Sequence, residues 1–442
     1  MSRNESQSIG YVELLKTNRD FRRLWFGRII SQAGDWFNSV ALFTLLLRFT
    51  SAGTSVGYIL IIKLLPTFFV GPLAGVVADR FSRKTIMIAT DLFRGFIVLG
   101  FLLVTRADQV WIVYALTIAE AVLSTFFEPA ESAAVPSIVS RDELISANAL
   151  SGATWSVTLA VGAALGGLVT DAFGVSTAFV IDSISFFISA AFIAVVRVPR
   201  LPAREAKAFS IADATGLTDF IEGARYLKAN PRVMALLLVK SGWGMGGGVL
   251  LLLTIFGKQI FPLGRDGSAS IGLLYAARGL GALIGPFIGR RTTSNSPRAM
   301  RRSITVAFFL SAIFYLLFAQ SPVLAIAILC VMGAHAGGSI QWVFSTTLLQ
   351  MTVPNRFLGR VFALELALVT LAMSASTYAT GWGLDNNFLS ARTAAMMLGF
   401  AFAIPGLVWL SIQSWLDIDD ERADEDSPII NAEPAAETSF PE

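Results

Sequence analysis

Long apolar runs alternate with short polar turns along almost the whole chain. The runs fall near 24–47, 55–78, 85–105, 109–128, 149–171, 176–196, 233–257, 270–289, 303–319, 323–346, 361–383 and 391–415. Each approaches or exceeds the roughly 20 apolar residues that cross a bilayer as a helix. Backbone polar groups in hydrocarbon must be bonded within the chain, so runs of this length are expected as helices. The pattern predicts an all-α membrane protein of twelve transmembrane helices. Lys and Arg number 23 in the turns on the side of the N-terminus and 5 on the other. That asymmetry places both termini in the cytoplasm.

The longest internal polar stretch divides the chain. It predicts an N-terminal six-helix bundle over 1–196, a cytoplasmic loop over 197–232 and a second six-helix bundle over 233–416. Residues 417–442 form an acidic tail with few large apolar side chains, expected to be disordered and cytoplasmic. The halves carry related fragments: Gly71-Pro-Leu-Ala-Gly75 answers Gly281-Ala-Leu-Ile-Gly285, and Val135-Pro136 answers Val353-Pro354. Two pseudo-symmetric halves of six spans fit a secondary transporter with its site near the midplane.

Composition removes other classes. The chain has 442 residues, 54% hydrophobic and only 15% charged, whereas soluble domains carry nearer a quarter charged residues. One cysteine, Cys330, and one histidine, His335, supply neither an internal disulfide nor a His/Cys metal cluster. No Gly-x-x-x-x-Gly-Lys loop and no Gly-x-Ser-x-Gly elbow occur, so neither ATP-driven pumping nor enzymatic activity is expected. No cofactor, metal or nucleic-acid partner is expected either. The first 23 residues are polar and mixed in charge, unlike a cleavable signal, so the first span is read as retained.

Charges inside apolar spans are costly and usually face an interior site. In the first span Arg28, Ser31, Asp35 and Asn38 recur at helical spacing and share one face. Lys63 in the second span lies at a depth matching Asp35, and an Asp35–Lys63 pair is expected to offset the cost of both. Asp91 and Arg94, three apart in the third span, are expected to pair with each other. Glu120, Glu128 and Glu131 form a stripe in the fourth span, and Asp182 lies in the sixth. Lys240, Arg278, His335 and Glu365 lie in the seventh, eighth, tenth and eleventh. Proton coupling needs groups whose charge changes with exposure; Asp35, Glu120, Asp182 and His335 are the candidates. His335, alone among Gly and Ala, reads more naturally as a packed residue donating to a backbone carbonyl than as a coupling group. Ser31, Asn38, Lys63, Lys240, Trp243 and Arg278 are candidate cavity residues, with Trp36, Phe37 and Trp342 adding aromatic walls. Ser241–Gly248, with five glycines, reads as close packing or as a local break beside Lys240.

The segment Gly75-x-x-x-Asp79-Arg80-x-x-Arg83-Lys84 between the second and third spans resembles the loop signature of the major facilitator superfamily. Phe21-Arg-Arg-Leu-Trp25, Ser31-Gln-Ala-Gly-Asp35, Phe127-Glu-Pro-Ala130, Ala147-Asn-Ala-Leu150 and Gly359-Arg-Val361 resemble its siderophore-exporter and macrolide-efflux branch. Two positions depart from the pattern: Ser82 replaces the usual small glycine, and Gly289 stands where the second half would carry an acid. The resemblance implies the major facilitator fold and a gate. In it Asp79, with Arg80, Arg83 and Lys84, would meet the N-terminus of the eleventh span near Gly359 and Arg360, where a helix end favours a carboxylate. It also implies proton-coupled export of a small amphiphilic molecule by a monomer in the bacterial cytoplasmic membrane, with substrate, protons and lipid as its partners. A lysophospholipid transporter and a non-transporting sensor or assembly subunit are the alternatives.

Overall fold

The computed structural model describes residues 9–50, 53–199, 217–293 and 296–425. Its elements are α1 (Tyr11–Thr17), α2 (Arg19–Phe49), α3 (Gly53–Arg80), α4 (Arg83–Gly100), α5 (Val110–Ile138), α6 (Arg141–Phe173) and α7 (Val175–Ala194). There follow α8 (Leu217–Ala229), α9 (Pro231–Gly244), α10 (Val249–Ile255), α11 (Ser268–Thr293), α12 (Pro297–Gln320), α13 (Leu324–Thr352), α14 (Asn355–Asp385) and α15 (Ala391–Glu425). Among the described residues there is no strand. Eleven spans are long and apolar enough to cross a membrane by composition alone, α9 and α10 together making one of them. The twelfth is α2, whose 31 residues include Arg28, Asp35 and Arg48. The chain is an all-α membrane protein with the twelve-helix organisation its apolar runs predict.

The pairing of helices repeats. In the first half α2 packs on α6 and α7, α3 on α5, and α4 on α5 and α7. Six spans later α9 packs on α14 and α15, α11 on α13, and α12 on α13 and α15. The halves meet through α6 against α11 and α3 against α14, two contacts that exchange under the same pseudo-twofold relation. Glycine sets the first: a methyl added to Gly272 would lie 2.8 Å from the Gly167 Cα, and one on Gly279 2.5 Å from the Ala160 nitrogen.

Several boundaries differ from the apolar runs. Helix α5 continues ten residues past 128, through Pro129 and Pro136, to Ile138. Helix α6 begins at Arg141, where Ser140 and Glu143 form a capping box. Ser82 caps α4, its Oγ accepting the Thr85 N–H at 3.4 Å, so the departure from the family pattern serves a local purpose. The 197–232 segment contains α8, which docks on α14 through stacked Tyr226 and Phe357 rings 4.3 Å apart. Helix α15 runs nine residues into the expected tail, to Glu425; residues 426–442 lie outside the described residues.

The glycine run of the seventh span does break the helix, between Gly244 and Val249. Ser376 of α14 satisfies the freed groups: its Oγ donates to the Met245 carbonyl at 2.6 Å and accepts the Gly248 N–H at 3.1 Å. A methyl on Gly247 would fall 2.7 Å from the Met373 Cα, so the break serves close packing.

Candidate functional site

The end of the bundle that carries α1 and the α3–α4 turn is called here the basic end. A cavity of about 920 Å³ opens from it between the halves. Glu128, Glu131, Ser132, Val135 and Asn148 line its outer part, and Asp35, Trp36, Ser39, Lys63 and Thr117 its depth. The second half contributes Trp342 and Leu366 to the lining.

A charged cluster lies in the first-half wall. Gly34 permits it: a methyl there would lie 2.1 Å from Ser185 Oγ and 2.5 Å from Asp182 Oδ1. The bare backbone lets α2 approach α7 and brings Asp182 beside Asp35. Carboxylate oxygens of Asp35, Glu120 and Asp182 come within 4.8 Å of one another. Arg94 reaches into this group from α4, 2.6 Å from Asp35 and 3.5 Å from Glu120. Its guanidinium also sits 4.1 Å from the Phe186 ring centre. Asn38 donates to Glu120 at 3.1 Å. Two expected pairs are therefore replaced. Arg94 leaves Asp91, its neighbour on α4, because a long guanidinium side chain satisfies two carboxylates across the bundle and only one along its own helix. Asp35 takes Arg94, and Lys63 donates to Ser39 Oγ at 2.8 Å.

The remaining sequence candidates take several positions in the bundle. Arg28 closes a second cluster at the cavity mouth, bonded to Glu128 and 3.3 Å from Glu131. Ser31 and Asn38 are buried behind the cavity surface, Ser31 donating to the Arg28 carbonyl at 3.2 Å. Lys240 and Glu365 form a buried ion pair at 2.7 Å that ties α9 to α14. Lys240 also donates to Thr346 at 2.8 Å, beneath the Trp342 ring. Trp243 packs edge-on against Trp342. His335 hydrogen-bonds the Tyr315 hydroxyl at 2.9 Å within the second half, away from the charged cluster. Arg278 stands behind Trp36 and Trp155, its guanidinium 5.9 and 5.5 Å from their ring centres.

The loop signature is spread along the open end. Methyls added to Gly75 or Gly359 would meet no atom within 4 Å, so these two stretches of α3 and α14 stand apart. Arg80 is exposed, and the side chain of Asp79 lies outside the described residues. Arg83 donates to the Ala133 carbonyl at 2.7 Å. Lys84 donates to the Ala194 and Val196 carbonyls at 2.6 and 3.0 Å, a cation at the C-terminus of α7. Arg360 pairs with Glu222 of α8 at 2.8 Å.

The far end is closed by contacts between the halves. Asp385, at the C-terminus of α14, accepts the Gly53 and Thr54 N–H groups at 2.5 and 3.0 Å and the Thr54 hydroxyl. Arg48 forks onto Asp266 at 2.8 and 3.0 Å. Asp171 accepts the Arg265 N–H at 2.5 Å, and Lys258 bonds the Leu47 carbonyl. One end of the cavity is open and the other is closed by these contacts.

The family model for transmembrane secretion effectors matches residues 15–436. The chain belongs to this family of major facilitator superfamily transporters. It is 30% identical to the uncharacterized transporter YkuC of Bacillus subtilis over 62% of its own length, spanning 64% of that protein. It is 26% identical to Macrolide efflux protein A of Streptococcus pyogenes over 80% of this chain and 86% of that one. It is also 26% identical to the enterobactin exporter EntS of Salmonella choleraesuis, over 91% and 94%. A POT family transporter, solved in complex with a thioalcohol-conjugated peptide, superposes with TM-score 0.69 at 10% identity, over 92% of this chain and 99% of that one. These relatives are transporters, and the resemblance read from the loop signature holds.

The sequence marked Arg94 only as a partner for Asp91, and left Asp385, Asp266 and Asp171 without a role. The signal for Asp385 is its position: an acid that ends one span, with a glycine opening another.

Proposed function

We propose that the protein is a proton-coupled exporter of a small amphiphilic molecule, a drug such as a macrolide or a siderophore, working by alternating access. The observation that carries this reading is the Asp35–Glu120–Asp182 cluster, with Arg94 in it, at the depth of a cavity open at one end. Three carboxylates around one guanidinium leave excess negative charge that a proton can neutralise. Opening the far end would hydrate the cluster differently and let that proton exchange on the other side. The basic end is assigned to the cytoplasm by the Lys and Arg distribution, which makes the described state inward-open. The bundles 1–196 and 233–416 are the moving bodies, linked by 197–232, and a single chain suffices because cavity and both gates lie within it. Efflux relatives support the export direction.

The test is flux in proteoliposomes. An imposed proton gradient is expected to drive uptake of a macrolide or catecholate siderophore into inverted vesicles, and Asp35→Asn with Glu120→Gln to abolish that response. Flux that ignores the proton gradient and follows sodium, flux of lysophospholipid alone, or flux that survives both substitutions would overturn the reading.

A further inference from the structure

Asp91 stands apart from the other acids of the first half. It is fully buried on α4, and neither carboxylate oxygen takes part in a hydrogen bond. Ser189 of α7 faces it without a hydrogen bond of ordinary geometry. A buried acid without bonds is costly, and an apolar residue of similar size would fill the place at no such cost. The nearest cation along the helix is half used. Arg94 lies three residues further along α4, on the same face. Both of its ion pairs run through Nη2, at 2.6 Å to Asp35 and 3.5 Å to Glu120, and its Nε is buried with no partner. Turning the guanidinium about its terminal torsions carries it from α2 and α5 to its own helix without moving a helix.

We propose that Asp91 is a positioning residue of the transport cycle, the second seat of the Arg94 guanidinium, taken when protons fill Asp35 and Glu120. This rests on the proton-coupled reading for what fills those acids. Without a second seat, neutralising both partners would strand a buried guanidinium, as costly as breaking a buried ion pair. Asp182 is the competing seat, since its Oδ2 also lacks a partner. It lies across the bundle on α7, however, with Ser185 Oγ 3.4 Å from its other oxygen, whereas Asp91 is one turn away on the helix of Arg94 itself. The other charges that act on Asp91 are Arg28 and Asp35 of α2, and Arg28 is held by Glu128 and Glu131. Arg94 lines the cavity in the described state. Its move to Asp91 takes a cation out of the wall, so proton loading changes the charge and the shape that the chamber presents to a substrate.

Unfolding midpoints of the purified full chain, read in detergent without any gradient, separate this seat from the transport mechanism. Asp91→Asn alone is expected to leave the midpoint within about 1 °C, because no bond is lost. In a chain with Asp35→Asn and Glu120→Gln, which mimics the proton-loaded acids, Asp91→Asn is expected to lower it by about 3–5 °C, because the guanidinium loses its second seat. In that chain Asp91→Glu is expected to keep most of the stability, and adding Arg94→Met to remove the penalty of Asp91→Asn. In proteoliposomes Asp91→Asn is expected to lower proton-driven flux ~10-fold, and Asp91→Glu to restore part of it. An equal effect of Asp91→Asn in both chains, a penalty that persists without Arg94, the same penalty from Asp182→Asn in place of Asp91→Asn, a doubly neutralised chain that does not fold, or proton-driven flux untouched by Asp91→Asn would overturn the proposal. The stability pattern found in a protein whose flux ignores the proton gradient would leave the seat standing and remove only the coupling.

Discussion

Asp385 ties the C-terminus of α14 to the N-terminus of α3 and so favours the closed far end. Its carboxylate accepts two backbone N–H groups at the first turn of α3, at 2.5 and 3.0 Å, and the Thr54 hydroxyl. Those amides have no partner within their own helix, and the positive end of the helix dipole favours an anion there. Asp385→Asn keeps one acceptor oxygen and loses the charge and one acceptor. A charge-assisted bond contributes about 1.5–3 kcal/mol, reduced by the exposure of this site to about 1–2 kcal/mol. With tenfold per 1.4 kcal/mol, the substitution is expected to shift the population ratio ~5–30-fold toward the state open at the far end. Spin labels at Arg106→Cys and Phe388→Cys, both exposed at that end, in a Cys330→Ala background, read the shift as growth of a longer-distance population. The same distance distribution in Asp385→Asn and its parent would refute the argument that this carboxylate holds the far end shut.

Two further outcomes follow from packing. Gly34→Ala places a methyl 2.1 Å from Ser185 Oγ, so α2 must leave α7, at an overpacking cost of about 1–3 kcal/mol; proton-driven flux is expected to fall about tenfold or more, and Ser185→Gly in the same chain to restore part of it. Lys240→Met strands the buried Glu365 carboxylate and is expected to cost about 3 kcal/mol in thermal or denaturant unfolding in detergent, whereas Lys240→Met with Glu365→Met recovers most of the loss.

How much of this is legible in the chain depends on the range of the interaction. The spans were legible because bilayer crossing demands an apolar run of fixed length, a local property. The end of α5 was not: the run stops near 128, but Glu128 and Glu131 line the cavity rather than face lipid, so the helix continues through two prolines to Ile138. The charged residues were visible one by one, as ions where ions are costly. Their partners were not, because the bundle brings together residues far apart in sequence. Arg94 and Asp35 are 59 positions apart, and Lys240 and Glu365 are 125. Neighbours at helical spacing, such as Asp91 and Arg94, look like the natural pair until the third dimension offers a second acid. The same logic separates two cations of the second half. Lys240 and Arg278 look alike in sequence, each a lone base in an apolar run. Lys240 meets Glu365 behind Trp342 and becomes a fixed strut between α9 and α14. Arg278, facing α2 and α6, meets two indole rings and, among the described residues, no acid within ion-pair distance. An apolar span hides a cation that finds its counter-charge; one that does not is held here by the faces of two indoles, a partner that periodicity along the chain does not reveal.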